Sequence, residues 1–299
     1  MRKSFWYKQE FMKILPKSVI FGSYWRNDNG SNQTNISSLS NLKKKKYVGD
    51  LSKKSRVRIE RSIEALCIQT GWKSTYCKIE KKDFRYRIGF VTLTLPATQR
   101  HSDEDIKQIC LGDFLTKLRN NHQCINYIWK AESQKNGNIH FHITVDKYIH
   151  YSVIRKYWLA SLEKLGYITA YAITKKNYYP PCSEIKSVRS VKNIGAYLAK
   201  YISKKSDNRL ISGRIWNSSY NLSRYKFPAL PLGHDYFSAI YDCAIDFCLS
   251  THKSEHFESL EVDILTIMRN VSLEVRSFLE DCFKCSFSDL NERLVLKSS

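Results

Sequence analysis

The sequence contains no Gly-x-x-x-x-Gly-Lys-[Ser/Thr] segment, which excludes the ordinary phosphate-binding loop and an ATP-driven motor built on it. No stretch approaches the ~20 apolar residues that a membrane helix needs, so no membrane partner is expected. No secretory signal is expected either, because residues 1–25 are broken by Arg2, Lys3, Lys8, Glu10, Lys13 and Lys17. Acids are scarce: 28 Asp+Glu stand against 49 Lys+Arg, a net charge of +21. Such a surplus favours a polyanionic partner, because each phosphate contact releases counterions. The nine cysteines are odd in number and scattered, which points to free thiols in a reducing cytosol. Cys282 and Cys285 with Cys243 and Cys248 have poor spacing for a zinc knuckle. What is abundant is tyrosine, 19 residues, and phenol rings offer stacking surfaces to unpaired bases.

The most informative stretch is Asn136 to Thr144, Asn-Gly-Asn-Ile-His-Phe-His-Ile-Thr. It reads as a strand leaving a tight turn. Ile139, Phe141 and Ile143 point one way; His140, His142 and Thr144 point the other, by the period of two. Two imidazoles therefore share one face. Ile125 to Glu132 reads as the partner strand. A three-residue loop, Lys135-Asn136-Gly137, makes Gln134 face Asn138, Glu132 face His140 and Lys130 face His142. A carboxylate then stands beside both imidazoles, a set suited to Mg²⁺ or Mn²⁺ held together with a phosphate. The bland alternative for Glu132 is a cross-strand partner of a lysine.

Downstream, Val191, Ile194, Leu198 and Ile202 recur at helical spacing over residues 191–205. Tyr197 and Tyr201 fall four apart on one flank, and Lys200 and Lys204 each follow a tyrosine by three positions. By itself this is a basic amphipathic helix. A phenol becomes a competent nucleophile only with help, from a nearby ammonium and a metal-polarised phosphate.

Together these motifs resemble HUH endonucleases. His140-Phe141-His142 is similar to the His-hydrophobic-His motif, and residues 197–204 resemble the two-tyrosine motif of rolling-circle replication initiators of single-stranded-DNA phages and plasmids. Phe90 to Leu95 is similar to that family's first motif, and the order, histidines before tyrosines, is the initiators' order. The resemblance covers about residues 85–205. It implies that His140 and His142 are metal ligands with Glu132 as the third. It implies too that Tyr197 and Tyr201 are nucleophiles, with Lys200 and Lys204 stabilising charge. The activity it implies is site-specific nicking and rejoining of single-stranded DNA at a replication origin, through a 5′-phosphotyrosine. Host helicase and DNA polymerase are the implied partners and the host bacterial cytoplasm the implied location. Related alternatives are a two-tyrosine transposase, a non-enzymatic RRM-like nucleic-acid-binding protein, and a phosphoesterase pairing His142-x-Thr144 with His150-x-Ser152 or His252-x-Ser254.

Around the motifs, Asn27 to Asn41 is rich in Asn and Ser, and Lys43 to Lys46 is a lysine run. A basic helix is expected over Leu51 to Cys67, capped by Ser52 or Ser55, with Arg56, Arg58 and Arg61 able to meet phosphates, as are Lys192 and Arg214. Strands are expected at Phe84 to Leu95, Tyr167 to Thr174 and Glu184 to Val188. Helices are expected from Ser102 and over Val153 to Leu165, the latter stopped by Gly166. The fold class is α+β: an antiparallel, about five-stranded, RRM/ferredoxin-like sheet with helices on one face, plus a C-terminal helical region. The expected domains are a basic N-terminal extension (1–80), an endonuclease domain (81–225) and a helical C-terminal region (226–299).

Overall fold

The structure, a computed structural model, describes residues 6–27, 51–71, 73–77, 81–86, 88–187, 209–253 and 257–294. Tyr197, Tyr201, Lys192, Lys200, Lys204 and the Lys43–Lys46 run lie outside the described residues. The fold is α+β and holds two five-stranded antiparallel sheets. The chain divides into two compact units, one made of residues 1–45 and 226–294, the other of 46–225 with 295–299. The 53–69 helix, expected in an N-terminal extension, counts with the second unit.

In the first unit, β1 (Trp6–Leu15) and β2 (Ser18–Asn27) form a hairpin turning at Pro16 and Lys17. The sequence of this stretch shows little periodicity, for a physical reason. Lys8 and Glu10 are exposed, whereas Met12 and Ile14, on the same face of the strand, are buried, so one face changes character halfway along.

In the second unit the 53–69 helix starts at Ser52, whose hydroxyl accepts from the Ser55 amide at 3.1 Å, as the sequence leads one to expect. β3 (Lys73–Cys77) pairs with β4 (Lys82–Tyr86) as a separate two-stranded ribbon. The expected single strand over Phe84 to Leu95 is thus divided. Only β5 (Gly89–Leu93) enters the main sheet. A Cβ at Gly89 would stand 3.0 Å from Val145 and 3.1 Å from the Lys147 carbonyl, so a bare backbone is suited to that close approach.

The main sheet has the order β8-β5-β7-β6-β9, with β6 (Tyr127–Ser133), β7 (Ile139–Val145), β8 (Ser183–Ser187) and β9 (Trp216–Ser218). Val91, Leu93, Trp129, Ala131, Ile139, Phe141 and Ile143 line one face and bury against Phe114, Leu118, Trp158 and Leu162 of two helices. The first helix begins at Ser102, whose hydroxyl accepts from the Asp105 amide. It runs through Asp103–Asp105, a wider π turn at Ile106–Leu111, and Gly112–His122. The second spans Tyr151–Glu163, and Gly166 follows with φ +69°.

Residues 167–175, read from the sequence as a strand, form a helix instead. The alternation Tyr-Ile-Thr-Ala-Tyr-Ala-Ile-Thr suits either structure. Glu163 decides, because its carboxylate accepts from the amides of Ile168 (3.1 Å) and Thr169 (3.0 Å). Those are orphan donors of a helix start, satisfied by a side chain outside the helix.

Ser218 lies opposite Ile128 and accepts the Ser62 hydroxyl at 3.2 Å. Ile128 shares its face with Lys130 and Glu132, so the 53–69 helix covers part of the sheet's second face. No described helix is long and apolar enough to cross a membrane.

Candidate metal centre

Sequence and turn chemistry set the register of the β6–β7 hairpin. Gly137 sits in the left-handed region at φ +83°, with open space where a Cβ would be. Its amide donates to the Gln134 carbonyl (2.9 Å), and the Gln134 amide donates to the Asn138 carbonyl (2.8 Å). Glu132 then faces His140 and Lys130 faces His142, the pairing expected from a loop of three residues.

The three candidate ligands converge. His140 Nε2 and His142 Nε2 are 3.0 Å apart, and Glu132 Oε2 is 3.6 Å from each. The donor atoms lie within 4.8 Å of one another, and among the described residues this is the one such cluster of histidine, cysteine or acidic side chains. Cys243, Cys248, Cys282 and Cys285 form none, which removes the zinc-knuckle alternative for them.

The surroundings fix the rings. His142 stacks on Phe90, with centroids 5.3 Å apart and planes at 24°. Thr92 Oγ1 lies 3.4 Å from His142 Nδ1, leaving Nε2 directed at the cluster. Lys130 Nζ donates to Glu132 Oε1 at 2.6 Å, and its side chain is 2% exposed. Burial alone would raise the Glu132 pKa, but hydrogen bonds from both imidazoles and from Lys130 outweigh it and hold the carboxyl well below the usual range. Glu132 therefore realises both sequence readings at once, cross-strand partner of a lysine and neighbour of two imidazoles. Two neutral nitrogens and one anionic oxygen, with one side of the cluster open to further ligands, fit a divalent cation that shares its coordination with substrate.

A second polar network anchors the hairpin turn. Arg209 makes two bonds to the Asp103 carboxylate, at 2.7 and 2.6 Å, and donates to the Gly137 carbonyl and to Gln99 Oε1. The Gln99 amide donates to Asn138 Oδ1, and Gln99 Oε1 also accepts from the Ile139 amide. Burial opposes ionisation of Asp103, yet Arg209, Gln99 and the Ser212 amide bring its pKa down to about 2. These groups border a cavity of about 440 Å³ lined by residues 98–102, 136–138 and Arg209. Sequence reasoning missed this network, because its partners are separated by 106 residues.

Of the arginines singled out for DNA, Arg56, Arg58 and Arg214 are exposed and Arg61 is partly so; none belongs to the triad. The phosphoesterase alternative loses its second motif. His150 caps the helix at Tyr151–Glu163, accepting from the Ser152 amide, and His252 is exposed on a strand of the other unit.

Residues 88–206 match a family model described as a replication-associated protein of the ORF2 type. The match covers less than half of the chain but takes in β5 to β8, the triad and both tyrosines. That likeness supports a replication initiator that acts on DNA at an origin. No curated protein and no solved structure matches the chain.

Proposed function

We propose that this protein starts rolling-circle replication by nicking and rejoining single-stranded DNA. The observation that carries the reading is the convergence of Glu132, His140 and His142 on one open point of the sheet. These three residues would hold Mg²⁺ or Mn²⁺. When bound, the cation supplies Lewis-acid polarisation of a non-bridging oxygen of the scissile phosphate.

The nucleophile is the phenol oxygen of Tyr197 or Tyr201. An O–P bond forms to the tyrosine as the P–O3′ bond breaks, and the phenol proton ends on the departing 3′ oxygen. The chain keeps the 5′ phosphate as an ester, and a host polymerase extends the free 3′ hydroxyl. The second tyrosine then cleaves the regenerated junction, and the new 3′ hydroxyl attacks the first ester, closing a circle. The ester conserves the bond energy, so joining needs no nucleotide. Lys200 and Lys204 stabilise negative charge on phosphate or phenolate. Unwinding falls to a host helicase, because the sequence has no phosphate-binding loop.

The ends of the tyrosine-bearing segment support this reading. The chain leaves β8 at Ser187 and is next described at Arg209, whose amide donates to Ser133 Oγ and whose side chain grips the Gly137 carbonyl of the histidine hairpin. A segment tied to that hairpin is suited to deliver a nucleophile to it.

The test is covalent capture. Wild type, Tyr197→Phe, Tyr201→Phe and the double variant are incubated with Mn²⁺ and single-stranded oligonucleotides, then run on denaturing gels. The double variant is expected to bind DNA and form no adduct. Adduct formation by the double variant would refute the mechanism.

A further inference from the structure

The metal centre contains a group that opposes the cation it is built to hold. Lys130 is almost fully buried and donates to one oxygen of the same carboxylate whose other oxygen faces both imidazoles. With the histidines neutral, Lys130 and Glu132 cancel, and the cluster carries no net charge. A divalent cation seated on Oε2 and the two Nε2 atoms would raise that to +2, in a partly buried site. It would stand about one carboxylate's width from the ammonium, roughly 5 Å, where like charges repel appreciably. A phosphodiester brings the missing negative charge.

Resting on the nickase reading, we infer that Lys130 makes metal loading conditional on DNA: it weakens the cation's hold on the empty site and is offset when a phosphate arrives. Binding is then coupled and reciprocal, with DNA tightening the metal and the metal tightening DNA by the same factor. The arrangement protects the cell's single strands, because a metal-loaded and reactive centre exists chiefly where a phosphate already lies. A purely structural lysine, one that only props Glu132 in place, predicts the opposite sign: removing it would loosen the carboxylate and weaken the metal.

The experiment measures Mn²⁺ affinity of the full chain by electron paramagnetic resonance and calorimetry, with and without a mixed-sequence single-stranded oligonucleotide. Lys130→Met removes the charge and keeps the bulk, and Lys130→Gln is a second neutral variant should the first fold poorly. Lys130→Arg keeps the charge. The neutral variants are expected to bind Mn²⁺ tighter than wild type without DNA, by about tenfold to a few hundredfold. They are also expected to lose most of the gain that DNA gives wild type, while Lys130→Arg behaves like wild type. Equal or weaker Mn²⁺ binding by the neutral variants, or an unchanged gain from DNA, overturns the role of Lys130 and leaves the nickase reading standing. Wild type that binds no Mn²⁺ in either condition overturns both.

Discussion

Replacing Asp103 by Asn tests whether the anchor beneath the hairpin turn holds the candidate centre in shape. Asp103 is 4% exposed and accepts four bonds: two from Arg209, one from Gln99 Nε2 at 2.9 Å and one from the Ser212 amide at 2.9 Å. Asparagine keeps one acceptor and sets an N–H₂ group against donors. Charge-assisted bonds contribute roughly 1.5–3 kcal/mol each but are not additive, and the Arg209 side chain is 33% exposed, so water recovers part of the loss. The net cost works out at about 3 kcal/mol. The acidity gives an independent check. The fall from 3.8 to about 2 corresponds to about 2 kcal/mol of preference for the charged form in the folded state. Because the folded pKa is depressed, this stabilisation is complete above the ordinary value and is lost as pH falls from about 4 through about 2. Urea unfolding at neutral and acid pH, with hydrogen exchange at Gly137 and Ile139 as the local reporter, measures it. Asp103→Asn is expected to lose stability near neutrality and to shed the part of the acid dependence between about pH 4 and 2. A loss below about 1 kcal/mol, or unchanged exchange at both amides, would refute the claim that this ion pair fixes the turn.

The other expectations are simpler. His140→Ala removes one of three ligands and should lower Mn²⁺ affinity by about 100-fold or more in calorimetry, with adduct formation lost in parallel. Thr92→Val removes the oxygen beside His142 Nδ1 and should cost about tenfold in Mn²⁺ affinity with the fold intact by circular dichroism. Glu163→Ala uncaps the helix at Tyr167–Lys175 and should cost about 1 kcal/mol in urea unfolding, with faster exchange at Ile168 and Thr169.

What the sequence reveals and what it hides follow from the range of the interactions. The hairpin is legible because a left-handed glycine, a loop of fixed length and a strict alternation act within about ten residues, and together they set the register that brings Glu132 to His140. The starts at Ser52 and Ser102 are legible for the same local reason. The helix at 167–175 reads as a strand because its deciding group, Glu163, lies outside the stretch whose alternation is being judged. The β1–β2 hairpin escapes notice because the Lys8–Ile14 face is wet at one end and dry at the other. The Asp103–Arg209 pair leaves no local signature, since each residue alone is an ordinary surface charge. The sequence places Lys130 opposite His142, but its near-complete burial is not foreseeable from a residue type that is almost always solvated.

The pairing of β1 with β10 (Ala229–Pro231), and of β2 with β12 (Phe257–Glu261), has a consequence for biosynthesis. The opening hairpin leaves the ribosome about 200 residues before its neighbours, a wait of roughly 10–40 s at common elongation rates. The triad-bearing segment is synthesised entirely within that interval. A nascent chain can thus complete its chemistry-bearing portion while the first strands are still unaccompanied. Their exposed edges need a chaperone or a fast ribosome in the meantime, and clipping either extremity of the gene should disable the same sheet.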